Sequence, residues 1–452
     1  MNLFGKWLFV VLILCVLAEG VGRAQESTSG PKPSWFPQFL GAQFTAIYQN
    51  VPAFHSPYSG ENSLVFDHSF KQQMTQTYGL YFGSQVTKSL QIYADGEMFR
   101  GAGLSRGVGL GEYTNGDVIR AGPTNLGSDP YLARLYARYL IPLSERMGEP
   151  LGRAMDHLPG REPVDRIEIK AGKLAPTDDF DQNRYANNQR AQFLNYAFLF
   201  NTAWDYASDT RGYSIGASVA IVHPTWRLIL GSYQEPVSRN GMTLDDEIYR
   251  ARGDNIELDL APWQKGPVVR FLAFRNGGRM GGYRDAIALG AATGTVPNTV
   301  DVEHEGNVKY GFGVNIEQPL ANDGETGLFA RAGWANGTNS PWCFTEVDRD
   351  ANVGLQVSGR NWHRPEDHFG IAIGVAGITG SHRHYLEQGG IGLLIGDGAL
   401  NYGLEQVFEV YYRIQICRFV ELGPDFQYIE NPGYNKDRGP VQVYGLRLNV
   451  NY

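Results

Sequence analysis

Residues 407–452 alternate between polar and apolar side chains, and this period of two constrains the fold more than any other feature of the chain. Successive side chains of a β-strand point to opposite faces, so the pattern indicates three strands separated by short breaks. One face of these strands carries Glu409, Tyr411, Arg413, Gln415, Glu421, Asp425, Gln427, Val443, Gly445, Arg447, Asn449 and Asn451. The other face carries Val410, Tyr412, Ile414, Ile416, Val420, Leu422, Phe426, Tyr428, Tyr444, Leu446, Leu448, Val450 and Tyr452.

A soluble β-sandwich also alternates, with its apolar face turned inward. Here the polar face carries charge on every strand, and the apolar face ends in aromatic residues. A transmembrane barrel requires this arrangement, because lipid lies outside, water lies inside and aromatic girdles mark the two interfaces. The pattern therefore favours an all-β fold, a transmembrane antiparallel β-barrel, over a sandwich.

The composition agrees with a barrel that has a wet interior. The 452 residues include 56 Gly, 25 Tyr and 23 Phe, yet only 42% are hydrophobic. No segment after residue 24 approaches the roughly 20 apolar residues that a spanning helix needs. The formal net charge of -8 gives no indication of a nucleic-acid partner.

The N-terminus has the pattern of an export signal. Lys6 precedes an apolar core at residues 7–17, and small residues surround a cleavage point after Ala24. The alternative interpretation of this stretch is a membrane anchor. We predict a signal peptide at residues 1–24, a flexible lead-in at 25–38 and a barrel at 39–452.

Period-two segments predict about sixteen strands, an even number in the porin range. They are 39–48, 77–85, 90–98, 134–140, 167–174, 214–222, 226–233, 256–260, 268–274, 310–317, 328–334, 353–359, 369–378, 408–416, 420–429 and 441–450. From the sixth strand onward the connectors alternate short and long, which predicts short periplasmic turns and long extracellular loops. The long connector 142–166 breaks this rule, and we predict an inserted segment with a helix around 143–155.

The connector 175–212 has the densest chemistry in the chain. Its apolar run at 193–200 (FLNYAFLF) is flanked by charged and polar residues. We predict that this loop folds into the barrel and forms a sugar-binding pore constriction, since sugars need hydrogen bonds for their hydroxyls and aromatic faces for their rings. The alternative is an extracellular loop of solvated charges. The predicted site residues are Asp178, Asp179, Asp181, Arg184, Asn187, Arg190, Trp204, Asp205 and Arg211.

Strand alternation also predicts a set of charged residues facing the lumen. They are Asp95, Glu97, Glu168, Lys170, Glu257, Asp259, Arg331, Glu409, Arg413, Asp425 and Arg447. Such charges give a channel electrostatic selectivity when they form rings of opposite sign. The simpler interpretation is that most of them only solvate the channel wall.

Motifs of catalysis and metal binding are absent from the sequence. The glycine-rich stretch 101–111 lacks the lysine of a phosphate-binding loop, and we predict that it is an extracellular loop. Cys343 and Cys417 are predicted at opposite rims and unbridged, and His382 and His384 are predicted to be solvated. We expect no cofactor, no metal and no enzymatic activity.

Three segments resemble the carbohydrate-selective porins of the OprB type. They are residues 422–435 with the closing strand 443–452, residues 193–219, and more weakly residues 93–105. The resemblance implies a sixteen-stranded channel in the bacterial outer membrane, through which monosaccharides such as glucose and similar small polar solutes diffuse. The alternative is an outer-membrane barrel that acts as an enzyme or a surface-binding protein, but no nucleophile–base pair marks a loop rim.

The implied partners are outer-membrane lipid and small sugars. A terminal aromatic residue resembles the signal that the barrel assembly machinery recognises, and Tyr452 occupies that position. The resemblance leaves open whether the protein is a monomer or a homotrimer.

Overall fold

The protein is a closed barrel of sixteen antiparallel strands in which each strand pairs with its sequence neighbours and β1 pairs with β16. The computed structural model describes residues 38–65, 72–117, 126–152, 154, 157–263 and 265–452. The strands are β1 Phe39–Asn50, β2 Gln72–Gln85, β3 Leu90–Gly101, β4 Tyr131–Pro142, β5 Arg166–Leu174, β6 Ser214–His223, β7 Trp226–Gln234, β8 Arg252–Leu260, β9 Val268–Gly278, β10 Asn307–Ala321, β11 Thr326–Ala335, β12 Arg349–Ser358, β13 His368–Gly377, β14 Glu405–Cys417, β15 Val420–Glu430 and β16 Val441–Asn451.

All sixteen predicted strands are present, which confirms the predicted fold class. Some predicted strands stop short of the long-loop rim, β2 by five residues and β12 by four. Polar residues interrupt the apolar alternation there, although the backbone ladder continues. Among the described residues, no helix is both long and apolar enough to cross a membrane.

The barrel wall has apolar side chains outside and polar side chains inside, the reverse of a soluble protein. Leu80, Phe312 and Ile373 are 66%, 57% and 57% exposed on the outside. Glu409 and Asn449, in contrast, are fully buried on the inside. Large apolar side chains outside and charged side chains inside are what a lipid environment requires of a barrel.

The two rims differ in connector length. Two residues join β6 to β7 and β14 to β15 at one rim, whereas loops of 10 to 39 residues join strands at the other. The long loops carry helix α1 (Tyr283–Thr293), helix α2 (Gly380–Glu387) and several 3-10 turns. Where the helices meet, the His382 ring stacks on Tyr283 at 4.3 Å and lies 3.2 Å from the Asp348 carboxylate. The prediction that His382 is solvated is therefore wrong.

The 3-10 turns are short and fall in the connectors. They span Leu104–Gly107, Pro176–Asp178, Tyr196–Phe198, Thr299–Val302, Asn322–Gly324, Gly359–Trp362 and Pro432–Tyr434. Asn195 caps the turn at Tyr196–Phe198 by accepting a hydrogen bond from the backbone of Ala197.

The predicted helix at 143–155 is wrong for the residues that the structure describes. Met147 pairs with Pro163, Leu151 with Gly160 and Ala154 with His157, so the connector between β4 and β5 is a bent hairpin. Gly148, Pro150 and Gly152 disfavour a helix in this stretch. The hairpin folds back onto the wall, where Leu158 is buried and Glu162 pairs with Arg138.

The predicted signal peptide and nearly all of the predicted lead-in lie outside the described residues. Cys343 is buried in a long loop and Cys417 ends β14 at the short-turn rim, and no disulfide joins the two.

Candidate functional site

The apolar run at 193–200 packs against the inner wall on one side of the barrel. Phe193 and Phe198 are fully buried. The Phe193 ring meets Phe329 of β11 at 5.4 Å and Tyr411 of β14 at 4.9 Å. These edge-on contacts and the burial of two phenyl rings give this segment a packed core of its own.

Polar side chains of the wall satisfy the backbone of the same run. Glu409 accepts hydrogen bonds from the backbone N–H groups of Leu194 and Asn195 at 2.5 and 2.9 Å. Arg331 donates to the carbonyl oxygen of Phe198 at 3.0 Å. Because a buried backbone group without a partner is costly, these wall residues fix the position of the loop.

The acidic arm of the loop is held by three basic residues on different strands. Asp178 accepts two hydrogen bonds of 2.6 Å from the Arg134 guanidinium of β4. Asp179 pairs with Lys170 at 2.5 Å, and Asp181 pairs with Arg331 at 3.2 Å. Burial alone would raise the pKa of Asp178, but the Arg134 guanidinium outweighs it and lowers that pKa below its ordinary value.

Arg190 forms the centre of a second network. Its guanidinium lies 3.2 Å from Glu97 of β3 and 3.3 Å from Asp117, and it donates to Tyr81 of β2 at 3.0 Å. Although burial disfavours the charged form, Asp117, Tyr81 and Glu97 together raise the pKa of Arg190 well above its ordinary value. Arg190 therefore remains a cation and bridges the loop to the wall.

Trp204 and Asp205 hold the C-terminal part of the loop. The Trp204 indole is fully buried and donates to Asn255 at 3.0 Å. Asp205 accepts backbone hydrogen bonds from four consecutive residues, including 2.7 Å bonds from Trp342 and Phe344. A carboxylate that caps successive backbone N–H groups fixes the loop between β11 and β12 against the 175–212 loop.

A cavity of about 1090 Å³ remains beside the loop. Five of the nine predicted site residues line it, namely Asp178, Arg184, Asn187, Arg190 and Arg211. The other four, Asp179, Asp181, Trp204 and Asp205, are buried in the contacts described above. Each of them meets a partner on a distant strand or loop, which the sequence pattern of the loop does not reveal.

One side of the cavity is aromatic, and the sequence analysis missed the two of these rings that lie outside the predicted loop. Tyr196 and Phe200 belong to the predicted run, and their rings lie 5.9 Å apart. The centre of the Tyr206 ring lies 6.1 Å from that of Phe200 and 4.9 Å from that of Phe344, which belongs to another loop. The ring centres of Tyr113 and Tyr196 are 5.5 Å apart. No sequence pattern predicts that Tyr113 and Phe344 line the cavity. Arg134 also lines it, and the alternation of β4 could have predicted that its side chain faces the lumen.

The segment 111–117 also reaches inward, which the prediction of an extracellular loop at 101–111 did not foresee. The backbone carbonyl of Thr114 accepts a hydrogen bond from the side-chain amide of Gln49 at 2.8 Å, and the Asp117 carboxylate accepts one from the Thr77 hydroxyl at 2.6 Å. The long loop at 277–308 contributes no residue to the cavity wall.

Most of the predicted lumen-facing charges bind a partner instead of only solvating the wall. Glu97, Lys170, Glu257, Arg331, Glu409 and Arg447 contact the 175–212 loop directly. Asp95, Glu168, Asp259, Arg413 and Asp425 pair with neighbours on the wall. The described residues contain no group of three or more metal-ligating side chains placed to hold an ion.

Comparison with known proteins agrees with this architecture. Residues 104–452 match the family model of the carbohydrate-selective porin, OprB family. The high-pH structure of OprB from Pseudomonas putida superposes with a TM-score of 0.68 at 15% identity, covering 92% of this chain and 94% of that one, which shows the shared fold. QuiX of Acinetobacter baylyi, whose name places it among porins, is 25% identical over 63% of this chain, and the chain spans 66% of its length. The chain belongs to the OprB family of carbohydrate-selective porins, bacterial outer-membrane β-barrels.

Proposed function

We propose that this porin passes monosaccharides such as glucose, and similar small polar solutes, by diffusion through the cavity beside the 175–212 loop. The loop, together with residues 111–117, would form the constriction. The supporting observation is that the loop and the wall enclose a cavity whose lining combines aromatic rings with hydrogen-bonding charged groups.

This lining matches the chemistry of a sugar. Phe200, Tyr206 and Phe344 present aromatic surface to the apolar faces of a pyranose ring. Arg134, Asp178 and Arg190 offer donors and acceptors to its hydroxyl groups. Binding must remain weak, because a solute that binds tightly would block the flux of others.

The charges that line the cavity also fit a structural role in a channel. Arg134 is engaged by Asp178, and Arg190 by Glu97 and Asp117, so these groups hold the constriction open in a defined shape. The proposal is that the protein acts as a channel and not as an enzyme. No contact among the described residues favours the alternative of a barrel enzyme or surface-binding barrel.

Two partner assignments accompany this function as proposals. Tyr452 lies at the short-turn rim, where its ring meets Phe419 at 5.5 Å, a position suited to recognition by the barrel assembly machinery. The exposed apolar outer face would contact outer-membrane lipid in either a monomer or a homotrimer.

Single-channel recording in a planar bilayer tests the function. We expect millimolar glucose to reduce the KCl conductance of the wild-type channel, because a bound sugar occupies the constriction. Phe200→Ala should weaken this block severalfold, since it removes aromatic surface from the cavity. Phe312→Ala, an identical change on the outer face, is the matched control.

Two outcomes would contradict the proposal. One is a wild-type channel whose conductance does not respond to glucose. The other is an equal loss of block in Phe200→Ala and Phe312→Ala, which would mean that the lumen aromatic ring does not contact the sugar.

A further inference from the structure

We propose that the channel binds hydroxylated carboxylates, the class that includes sugar acids, more strongly than neutral sugars, and that Arg211 binds their carboxylate. This inference rests on the proposed function and specifies the solute class that the same cavity favours. It follows from how the structure distributes the charges of the 175–212 loop.

The negative and positive charges of the loop nearly balance in the sequence, but the charges that line the cavity do not. Its five aspartates would offset its three arginines, yet Asp179, Asp181 and Asp205 are buried in contacts with the wall and with other loops. Asp209 is only 3% exposed and accepts hydrogen bonds from the backbone of Arg211 and Tyr213. Asp178 is the one aspartate of the described loop residues that lines the cavity, whereas all three arginines do.

Carboxylates from elsewhere do not restore the balance, because each one at the cavity already has an arginine. Asp178 is bound by Arg134 through two hydrogen bonds. Glu97 and Asp117 are both bound by Arg190. Among the described side chains that line the cavity, no carboxylate remains for the other arginines.

Three arginines that line the cavity, Arg184, Arg211 and Arg418, have no ion pair to a described carboxylate, and Arg211 is the one of the three that is partly buried. Its guanidinium carbon lies 4.1 Å above the Tyr131 ring, and its Nε atom has no acceptor among the described residues. Tyr131 is itself held in place because its hydroxyl donates to Glu97 at 2.9 Å. The stack therefore presents the planar guanidinium to the cavity in a fixed orientation.

A guanidinium held in this way suits a carboxylate. Its parallel N–H donors match the two oxygens of a carboxylate, and charge-assisted bonds are roughly twice as strong as neutral ones. Thr210, Gln189 and Asn188 also line the cavity and can bond the hydroxyls of the same solute. A neutral sugar would use those groups but would leave Arg211 without an anion.

The test compares block of single-channel current by gluconate and by glucose, added to one side in otherwise identical KCl. Wild type should be blocked by gluconate at lower concentration than by glucose. Arg211→Gln should raise the half-blocking gluconate concentration about tenfold, the effect of losing one charge-assisted interaction. The same variant should change glucose block by less than about twofold, because no such interaction is lost.

Arg383→Gln is the matched control. Arg383 also stacks on an aromatic ring, at 5.5 Å from Tyr402, but it lies on helix α2 and does not line the cavity. The substitution removes the same charge, and gluconate block should persist in this variant. Equal loss of gluconate block in Arg383→Gln would overturn the assignment to Arg211.

The remaining outcomes separate this inference from the proposed function. Block by glucose that equals or exceeds block by gluconate in wild type would overturn the inference and leave the sugar channel intact. Absence of block by both solutes would overturn both. Equal loss of block by both solutes in Arg211→Gln would overturn the inference, because it would show that Arg211 shapes the cavity but does not bind the carboxylate.

Discussion

The two halves of the barrel interior differ although the same kind of strand builds both. Between β11 and β15 the inner wall is covered by the run at 193–200, with Phe193, Phe198 and Phe329 packed as in a soluble core. Between β1 and β4 the wall carries Glu97 and Arg134 and borders the cavity. The 175–212 loop thus covers the wall on one side of the lumen, the packed half, and leaves a cavity on the other side, the open half.

Under the proposed function, this difference explains how a wide barrel acquires a narrow pore. An apolar run can anchor to one side of the wall only if wall side chains satisfy its backbone, as Glu409 and Arg331 do here. The charged arms of the loop then project across the lumen and pair with Glu97 and Arg134. The predictions below test whether the packed half positions the open half.

The largest effect is expected from the packed half. Phe193→Ala and Phe198→Ala should each lower the free energy of unfolding by about 3–5 kcal/mol, because each leaves a cavity in a buried apolar cluster. Phe99→Ala in the open half, where the ring borders the cavity, should cost clearly less. Equilibrium unfolding in lipid vesicles measures these values, and equal costs in both halves would remove the distinction.

The next prediction concerns the outer face, where the two halves should not differ. Leu80→Arg in the open half and Ile373→Arg in the packed half should each lower the free energy of unfolding by about 2–4 kcal/mol if the residues lie near the bilayer midplane. Val86→Arg, in the turn after β2, should cost about 0–1 kcal/mol. Unfolding in vesicles again provides the measurement, and unequal costs at Leu80 and Ile373 would show that the asymmetry extends to the lipid face.

Selectivity should change when the open half loses its bridging cation. Arg190→Gln leaves Glu97 and Asp117 without their arginine, so the reversal potential in a KCl gradient should shift toward cations. Arg184→Gln should shift it less, because Arg184 is exposed and neutralises no described carboxylate. Identical shifts in the two variants would contradict the special role of Arg190.

The smallest predicted effect depends on pH and lies in the loops above the barrel. Burial raises the pKa of Glu235 from 4.5 to about 8, and its carboxyl group accepts a hydrogen bond from the Cys343 thiol at 3.0 Å. Because the folded state favours the protonated carboxyl group, Glu235 contributes fully to stability below pH 4.5, its ordinary pKa. This contribution is lost as the pH rises through about 8.

Ionised Glu235 would then repel Asp205 and loosen the loop that holds Cys343. Between pH 7 and pH 9, maleimide labelling of Cys343 should accelerate more in wild type than in Glu235→Gln, which cannot ionise. Ionised Glu235 would also raise the pKa of the Cys343 thiol, which slows labelling, so a larger acceleration in wild type reports opening of the loop and not ionisation of the thiol. Equal acceleration in both proteins would show that Glu235 does not control this loop.

The wall could be predicted from the sequence, and much of the interior could not. Alternation located all sixteen strands because one face must meet lipid, and it identified charges such as Glu409 and Arg331 on the opposite face. It could not separate Asp178, which lines the cavity, from Asp181, which is buried. That difference depends on Arg331 and Asn315, which lie more than 130 positions away in the chain.

The hairpin between β4 and β5 is a second region that the sequence pattern failed to predict. Its residues were predicted as a helix, although Gly148, Pro150 and Gly152 argue against one. The partners that place the hairpin, such as Arg138 for Glu162, belong to the folded wall. Local pattern therefore predicts strands well and inserted segments poorly.

The central claim is that the 175–212 loop sets the constriction. The most direct test replaces residues 193–200 with a Gly/Ser segment of equal length and records single-channel conductance with and without glucose. The account predicts a barrel that still inserts, with higher conductance and no glucose block, because the loop has lost its anchor. Unchanged conductance and unchanged block would contradict the claim and place the constriction in another segment.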